Sequence, residues 1–385
     1  MNAVSELSKL IACLLSAAIM SACTGAVQPS DEQTYSDSQA VSAEFRTASE
    51  IVSDMKIGWN LGNTLDVCAA DRDGDGIVNE VPENGKVDET LWGNPMTDKA
   101  LFEALKAEGI NAVRIPVTWR DHLGEAPDYK IDEEWLDRVQ EVVDYAIDLD
   151  MYVIINIHHD GGDDAKFGAW VRTAAEDYDG FAQKYTALWK QICDRFGDYP
   201  DRLIFESANE IGFDSLPSDK AYELLGKINS LFTETVRASG KNNGSRALLI
   251  AGYWTDIAKT CDPRFTLPED DNIILSVHYY TPWEFCITNK QKTWGTDSDI
   301  KLLKDKMYLL KKNFVDKGVP VIIGEYGFCI QNSEESCLKF AKTVSETCYD
   351  MGIRTFLWDN GEVFDRENHK WRVEGLGEAL RESVE

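Results

Sequence analysis

Short apolar runs recur eight times along the chain, and segments with helical periodicity separate them. Each run is apolar at successive positions, which is typical of strands buried on both faces of a parallel sheet. The runs cover residues 57–61, 112–117, 152–157, 203–205, 247–251, 273–277, 319–323 and 355–358. Residues 98–107 and 133–149, which lie between runs, carry apolar side chains at helical spacing. Eight strand–helix units predict an α/β fold, a closed (β/α)8 TIM barrel made by a single domain.

A doubly wound nucleotide-binding sheet is the main alternative fold for such an alternation. That fold needs a glycine-rich turn after a strand, and neither G-x-G-x-x-G nor G-x-x-x-x-G-K-S/T occurs at any of these strand ends. The 385 residues also fit one barrel with a short leader. The sequence therefore favours the barrel over the nucleotide-binding sheet.

The charge of the chain excludes one class of partner. A formal net charge of −28 at pH 7 argues against nucleic acid, because binding to phosphates depends on Lys and Arg. An acidic surface that keeps the protein soluble is the simpler explanation, and steering of a cationic substrate is the alternative. A neutral polymer is compatible with this charge.

The N-terminal residues predict export. An apolar run at residues 10–20 is too short to span a bilayer but suits a signal peptide, and Ser21, Ala22 and Cys23 follow it. We predict a signal peptide over 1–23, with Cys23 in a lipobox-like position for lipid attachment at the cell envelope. Simple secretion is the second alternative and a cytoplasmic protein the third. Residues 24–45, polar and aperiodic, predict a flexible tether.

The cysteines leave two alternatives open. The seven that follow Cys23 show no C-x-x-C spacing, which disfavours zinc. They are either buried free thiols or include one disulfide, Cys261 with Cys286 or Cys329 with Cys337.

Polar side chains concentrate at the carboxyl ends of the predicted strands. Glu210 follows the fourth strand and Glu325 ends the seventh. In a TIM barrel these ends converge on one mouth, where the chemistry takes place. A carboxylate at the end of a buried strand is costly unless it is paired or functional. Two carboxyl groups about 5 to 5.5 Å apart are what a retaining glycosidase requires.

Seven motifs in barrel order carry a family resemblance. They are GWNLGNTLD from residue 58, VRIPVTW from 113, INIHHD from 155, ESANE from 206, VHYYTPW from 277, GEYG from 324 and LWDN from 357. Together they resemble glycoside hydrolase family 5, in the branch of bacterial endo-β-1,4-glucanases. Two positions depart from the family pattern, with Ile211 where Pro is common and Tyr326 where Phe is commoner. Neither departure touches the two carboxyl groups.

The resemblance implies a role for each matching residue. Glu210 would be the acid/base and Glu325 the nucleophile, in a catalytic domain over 46–385. Catalytic support would come from Arg114, Asn209, His278 and Tyr280. The substrate would contact Asn63, Asp66, His158, His159 and Trp358. A structural salt bridge of Arg114 and core packing of the histidines are the alternatives to these roles.

Electrostatics and aromatic content add two expectations. We expect neighbouring negative charge to raise the pKa of Glu210 toward about 6, as suits a general acid. Aromatic faces pack on pyranose rings, so tryptophans in loops after strands are candidates for a polymer cleft or, equally, for the core. The candidates besides Trp358 are Trp92, Trp119, Trp170, Trp254 and Trp283.

The predicted function is endo-acting hydrolysis of internal β-1,4-glucosidic bonds with retention, by a monomer without cofactor or metal. The same mechanism on xyloglucan, lichenan, xylan or mannan is the nearest alternative, and a noncatalytic glycan-binding lipoprotein is a remote one.

One insertion resembles a calcium-binding loop. Residues 71–82 begin like an EF-hand loop, with Asp71, Asp73 and Asp75 in place. The twelfth position is Pro82 instead of Glu, so a solvated acidic hairpin is favoured over calcium.

Overall fold

Eight parallel strands form a closed barrel, in which each strand pairs with its neighbours in chain order and the last pairs with the first. The computed structural model describes residues 45–70, 86–162 and 168–385. The strands are β1 (Ile57–Leu61), β2 (Ile110–Ile115), β3 (Tyr152–Asn156), β4 (Leu203–Glu206), β5 (Leu248–Ala251), β6 (Ile273–Tyr279), β7 (Val321–Tyr326) and β8 (Arg354–Asp359). The predicted (β/α)8 barrel is confirmed. The predicted leader, most of the tether and the calcium alternative at 71–82 lie outside the described residues.

Helices precede, connect and follow the strands of the barrel. They are α1 (Ala48–Asp54), α2 (Lys99–Ala107), α3 (Glu133–Ile147), α4 (Tyr178–Phe196), α5 (Ser218–Ala238), α6 (Ile257–Thr260), α7 (Trp283–Cys286), α8 (Asp297–Asn313), α9 (Glu334–Asp350) and α10 (Leu376–Glu382). A short antiparallel pair, β9 (Phe364–Asp365) and β10 (Lys370–Trp371), follows β8. Within the described residues, no helix combines the length and apolar character needed to span a membrane.

Helix α2 shows how a local signal sets a helix boundary. The carboxylate of Asp98 accepts a hydrogen bond of 3.0 Å from the backbone N–H of Leu101, so Asp98 caps the helix instead of joining it. Leu101, Phe102 and Leu105 form the buried face against the barrel. The predicted helix at 98–107 is therefore confirmed, with its first residue acting as the cap.

Two strands begin two residues away from the apolar runs that predicted them. The run at 112–117 corresponds to Ile110–Ile115, and the run at 319–323 corresponds to Val321–Tyr326. Pro116 follows the first strand and Pro320 precedes the second. Proline has no N–H to donate to a neighbouring strand, so backbone hydrogen bonding between strands is interrupted at both positions.

Helix α1 closes the end of the barrel where the strands begin. Its buried residues Ala48, Ile51 and Val52 pack against inward-facing side chains near the strand starts, such as Tyr152. The backbone N–H of Ala48 donates to Asn272, the residue just before β6. The mouth formed by the strand ends is therefore at the opposite side from α1.

The cysteines of the described residues are all free, so the free-thiol alternative is the one observed. Neither predicted disulfide is formed. The Sγ of Cys329 instead donates to the backbone oxygen of Cys286 at 3.3 Å, and the Sγ of Cys337 lies 3.7 Å from the backbone oxygen of Cys329. Burial raises the pKa of the Cys286 and Cys337 thiols, which keeps them protonated.

Candidate active site

Arg114 is the centre of the polar network at the barrel mouth. It lies on β2, is fully buried, and donates from its three nitrogens to four acceptors. The acceptors are Glu206 Oε2 at 2.7 Å, Glu325 Oε1 at 2.8 Å, Asn209 Oδ1 at 2.8 Å and Asn60 Oδ1 at 3.0 Å. Burial alone lowers the pKa of Arg114, but the charges of Glu206 and Glu325 more than reverse this effect. The guanidinium is thus a fixed positive charge that joins β1, β2, β4 and β7.

Glu325 ends in the centre of the mouth with both carboxylate oxygens engaged. Arg114 holds Oε1, and the hydroxyl of Tyr280 donates to Oε2 at 3.0 Å. Burial and the charges of Glu325 and Glu210 raise the pKa of Tyr280 well above its ordinary value. Tyr280 therefore keeps its proton and remains a donor. Glu325 is 5% exposed, so only a narrow part of it faces the cleft.

Glu210 lies beside His278, whose Nδ1 is 2.8 Å from Glu210 Oε1. The Glu210 side chain is 44% exposed, since it lies deep in the mouth but is open to the cleft above. Burial raises the pKa of Glu210, but the hydrogen bond and charge of His278, with the charge of Arg114, lower it below its ordinary value. The expectation of a pKa near 6 is therefore wrong for the free protein. The positive neighbours His278 and Arg114 outweigh burial, which is the effect that raises this pKa.

The two carboxyl groups face each other across the mouth. A carboxylate oxygen of Glu210, a ring nitrogen of His278 and a carboxylate oxygen of Glu325 all lie within 4.8 Å of one another. His278 Nδ1 is also 3.6 Å from Glu325 Oε2. This carboxyl separation fits the short spacing of a retaining glycosidase and is below the roughly 6.5 Å that inverting enzymes need.

A second group of side chains lies at the end of the mouth formed by β1, β3 and β8. The His158 ring stacks parallel to the Trp358 indole, with centroids 5.8 Å apart and an interplanar angle of 9°. Burial, followed by the charges of His159 and Arg114, lowers the pKa of His158 well below its ordinary value. A neutral imidazole can both donate and accept. Gly62 allows the indole to approach, because a Cβ there would lie 2.6 Å from Trp358 Cζ2.

Asp66 lies behind His159 instead of facing the cleft directly. Asp66 is fully buried, and its Oδ1 accepts from the backbone N–H of Thr64 at 2.7 Å. Its Oδ2 is 3.9 Å from Nε2 of His159, whose side chain is 22% exposed. Burial raises the pKa of Asp66 to about 6. Any effect of Asp66 on a sugar therefore passes through His159. Asn63, also predicted to contact substrate, has a left-handed backbone with φ of 53° just before this turn.

Sequence reasoning did not assign two polar residues of the network. Glu206 Oε2 accepts from Arg114 and also from Asn156 Nδ2 at 3.0 Å, and Asn156 Nδ2 lies 3.2 Å from His158 Nδ1. Both residues sit inside buried strands. The available signal was a carboxylate within an apolar strand, which needs a cation close by.

The tryptophan candidates divide between the core and the cleft. Trp119 is fully buried and donates to the backbone oxygen of Asn156, and Trp170 is 9% exposed and donates to Asp160. These two belong to the core. Trp92 lies 5.5 Å from His159, ring to ring, near the β1 side of the mouth. Trp254 and Trp283 line the cleft next to Glu210.

Among the residues that the structure describes, two groups of three side chains have donor atoms close enough to share a metal ion. They are Asp66, His158 and His159, and Glu210, His278 and Glu325. In the second group, Arg114 and Tyr280 already donate to Glu325, and a cation would compete with them. Glycoside hydrolysis by two carboxyl groups requires no metal.

Comparison with known proteins identifies the family of the chain. Residues 71–363 match the family model described as cellulase, glycosyl hydrolase family 5. Endoglucanase A of Ruminococcus albus is 38% identical over 368 residues, covering 90% of this chain and 95% of that protein. A xyloglucan-specific endo-β-1,4-glucanase of Bacteroides ovatus is 34% identical over 83% of this chain and 67% of its own length.

A solved structure extends the match to the fold. A broad-specificity endoglucanase of Ruminococcus champanellensis, with bound cellotriose, is 35% identical and superposes with a TM-score of 0.78. The superposition covers 88% of this chain and 99% of that one. The barrel fold, the order of the motifs and the sequence identity to known endoglucanases are consistent with one another. The chain belongs to the cellulases of glycosyl hydrolase family 5.

Proposed function

We propose that this protein is an endo-β-1,4-glucanase that retains configuration by double displacement, with Glu325 as nucleophile and Glu210 as acid/base. The observation that carries the mechanism is the separation of the two carboxyl groups, which have oxygens within 4.8 Å of each other. At that distance one carboxylate can attack the anomeric carbon while the other reaches the glycosidic oxygen. No room remains for a water between them, as inversion would need.

In the first step, Glu325 attacks the anomeric carbon and forms a glycosyl ester, while the bond to the leaving oxygen breaks. Glu210 gives its proton to that oxygen. Arg114 and Tyr280 each hold one oxygen of Glu325 and so fix the attacking lone pair. Such positioning removes orientational freedom before the reaction.

In the second step, Glu210 takes a proton from a water, which attacks the anomeric carbon and breaks the ester to Glu325. The proton balance returns both carboxyl groups to their initial state. Asn209, held by Arg114, is the donor for the 2-hydroxyl of the reacting sugar, whose hydrogen bond strengthens in the transition state. Trp358, His158, His159 and Asn63 bind the sugars on the nucleophile side, with Asp66 behind His159.

The mechanism is tested by Glu325→Gln, with Glu234→Gln on the outer face of α5 as the matched control. We expect the Glu325 variant to lose at least about 10³-fold in kcat on barley β-glucan, because an amide is a poor nucleophile. Calorimetry should show retained binding of cellotetraose. The control should match the wild type in both measurements. Appreciable turnover by Glu325→Gln would overturn the assignment.

The products formed with azide distinguish the acid/base from the nucleophile. With 2,4-dinitrophenyl β-cellobioside, Glu210→Ala still forms the glycosyl ester, since this leaving group needs no acid, and azide then attacks to give the β-azide. In Glu325→Gly, azide replaces the missing nucleophile and gives the α-azide. The reverse pattern of products would exchange the two assignments.

The polysaccharide is proposed as a β-1,4-glucan, and xyloglucan is the second candidate because one similar protein is specific for it. Release of reducing ends from barley β-glucan, xyloglucan, xylan and mannan separates these substrates. Activity confined to xylan or mannan would refute the glucanase proposal.

Export and lipid attachment through Cys23 remain part of the proposal, as does a monomeric state. The support for export is the apolar run at 10–20 followed by Ser21, Ala22 and Cys23. Labelling cells with a palmitate analogue should mark the wild type and leave Cys23→Ser unmarked. An unmarked wild type in the culture medium would favour simple secretion, and light scattering tests the monomer.

A further inference from the structure

The hydrogen bonds around Asn156 leave its side-chain amide only one orientation. Asn156 ends β3 and is buried. Its Oδ1 accepts from the backbone N–H of Val117 at 3.1 Å, and its Nδ2 donates to Glu206 Oε2 at 3.0 Å. A flipped amide would place an NH2 group against the backbone N–H of Val117, and two donors cannot bond each other. The amide nitrogen is therefore the end that faces Glu206.

The same amide nitrogen also faces a ring nitrogen of His158. Nδ2 of Asn156 lies 3.2 Å from Nδ1 of His158. An amide nitrogen carries two hydrogens and accepts none, so Nδ2 can donate to Glu206 and to His158 at once. Nδ1 of His158 must therefore offer its lone pair. Since the bond made by one ring nitrogen decides where the proton sits, the proton of a neutral His158 is on Nε2.

The surroundings of His158 hold the ring neutral and in place. An imidazolium would carry a proton on Nδ1, directed at the NH2 group of Asn156. Burial acts in the same direction, because it lowers the pKa of His158 well below its ordinary value. The backbone N–H of His158 donates to the backbone oxygen of Val117 at 2.8 Å, and the ring stacks on Trp358. The orientation and the protonation of this ring are thus fixed before a sugar binds.

Glu206 connects this arrangement to the nucleophile. Its Oε2 accepts from Asn156 and also from Nε of Arg114 at 2.7 Å. Arg114 in turn donates to Glu325. One carboxylate oxygen thus orients both the amide that faces His158 and the guanidinium that holds Glu325. Glu206 is a shared support of His158 and Glu325.

We propose that Asn156 is a positioning residue that holds His158 as its Nε2–H tautomer, so that His158 donates a hydrogen bond to a sugar hydroxyl and does not accept one. The inference rests on the proposed function, because it takes the group around Trp358 as the site of the sugars on the nucleophile side. Asn156 occupies Nδ1, so Nε2 is the ring nitrogen left for a ligand. Asn156 itself is buried and acts through His158.

Nitrogen NMR of the protein labelled with isotopic histidine measures the tautomer directly. The chain has five histidines, and each gives one pair of ring-nitrogen signals. The pair that disappears in His158→Gln belongs to His158. We expect its Nε2 to be protonated and its Nδ1 unprotonated from about pH 5 to about pH 8, the range in which an ordinary histidine titrates. A protonated Nδ1 in the wild type, as the other neutral tautomer or as imidazolium, would overturn the proposal.

Asn156→Asp tests the residue that sets the tautomer. A protonated carboxyl group carries one hydrogen and a carboxylate none, so Asp cannot donate to Glu206 and His158 together. We expect the His158 proton to move to Nδ1, which makes Nε2 an acceptor. Asn313→Asp, at the exposed end of α8, is the control and should leave the His158 signals unchanged. Nε2 still protonated in a folded Asn156→Asp would overturn the role of Asn156, and the wild-type spectrum decides the tautomer if the variant does not fold.

Kinetics on fluorinated substrates measure the direction of the hydrogen bond to the sugar. A hydroxyl can reverse its hydrogen bond, whereas a fluorine in its place can accept weakly but cannot donate. We compare 2,4-dinitrophenyl β-cellobioside with analogues that carry fluorine at one hydroxyl position at a time. For Asn156→Asp, the ratio of kcat/KM on the analogue to kcat/KM on the parent should fall about tenfold at the position that His158 contacts, the loss expected for one hydrogen bond.

A merely structural role of Asn156 would lower both rates equally. Unchanged ratios for every analogue, with Asn313→Asp at the wild-type ratios, would therefore overturn the proposal. A wild type inactive on the parent cellobioside would overturn the proposed function itself. The NMR signals report the tautomer without turnover, so the two failures are distinguishable.

Discussion

His278 Nδ1 lies 2.8 Å from Oε1 of Glu210, and this contact sets the protonation of the proposed acid. The contact lowers the pKa of Glu210 after burial has raised it. Glu210 must be protonated to act on bound substrate, so kcat/KM falls as the pH rises through its pKa. Replacing His278 with Leu should raise that pKa and move the alkaline limb of the kcat/KM profile to higher pH. His369→Leu is the control, and an unmoved limb in His278→Leu would contradict the prediction.

The pairing of Arg114 with Glu206 predicts a loss of both rate and stability. Arg114→Met leaves Glu206 charged and buried without a cation, which should cost about 3 kcal/mol in the free energy of unfolding. It also frees Glu325 Oε1, so kcat should fall at least about 100-fold. In the double variant Arg114→Met with Glu206→Gln, part of the stability should return while kcat stays low. Equal stability of the single and double variants, measured by urea unfolding, would count against the pairing.

The burial of Asp66 predicts a loss of stability that depends on pH. Its folded pKa of about 6 is above the ordinary 3.8, so the free energy of unfolding falls as the pH rises between these values and stays lower above them. Asp66→Asn removes this cost and should stabilise the protein at pH 7 by about 3 kcal/mol. The advantage should vanish near pH 3.5. Urea unfolding at the two pH values measures it, and no gain at pH 7 would contradict the burial argument.

The contact of Gly58 with Phe356 predicts a site that tolerates no side chain. A Cβ at Gly58 would lie 2.4 Å from Phe356 Cγ inside the barrel. Gly58→Ala should therefore lower the free energy of unfolding by about 2 kcal/mol through overpacking. Gly244→Ala, where nothing lies within 4 Å of the added Cβ, should stay close to wild type. Equal melting temperatures of the two variants would refute the prediction.

The fold could be predicted from the sequence because each strand has a local signature. Apolar runs and their helical separators identify all eight units, and the two strands that begin two residues away from their runs lie next to Pro116 and Pro320. The candidate site could be predicted in part for the same reason, since Glu325 lies at the end of β7 and Glu210 lies in the loop that follows β4. Their closeness, which the fold brings about, was an expectation that the coordinates bear out.

What the sequence did not predict depends on contacts between distant segments. In the sequence Glu206 is one more residue of a strand. Its partner Arg114 is 92 positions away and lies beside it only because β2 and β4 belong to the same barrel. The pKa of Glu210 is lowered because the positive neighbours His278 and Arg114 outweigh burial. The spacing of residues along the sequence does not show this balance. The sequence predicts a substrate contact for Asp66, but its side chain is wholly buried.

Helix α1 has a practical consequence for how the enzyme is handled. Because it closes the barrel floor, the chain enters the domain at Arg46, whose guanidinium is fixed to Asp201 just before β4. A fusion partner or an immobilising tag joined ahead of residue 45 is therefore attached on the face remote from the polymer. Coupling the protein to a solid support through that terminus leaves the barrel mouth facing away from the support. The mouth then stays accessible to an insoluble fibre, which cannot itself diffuse to the protein.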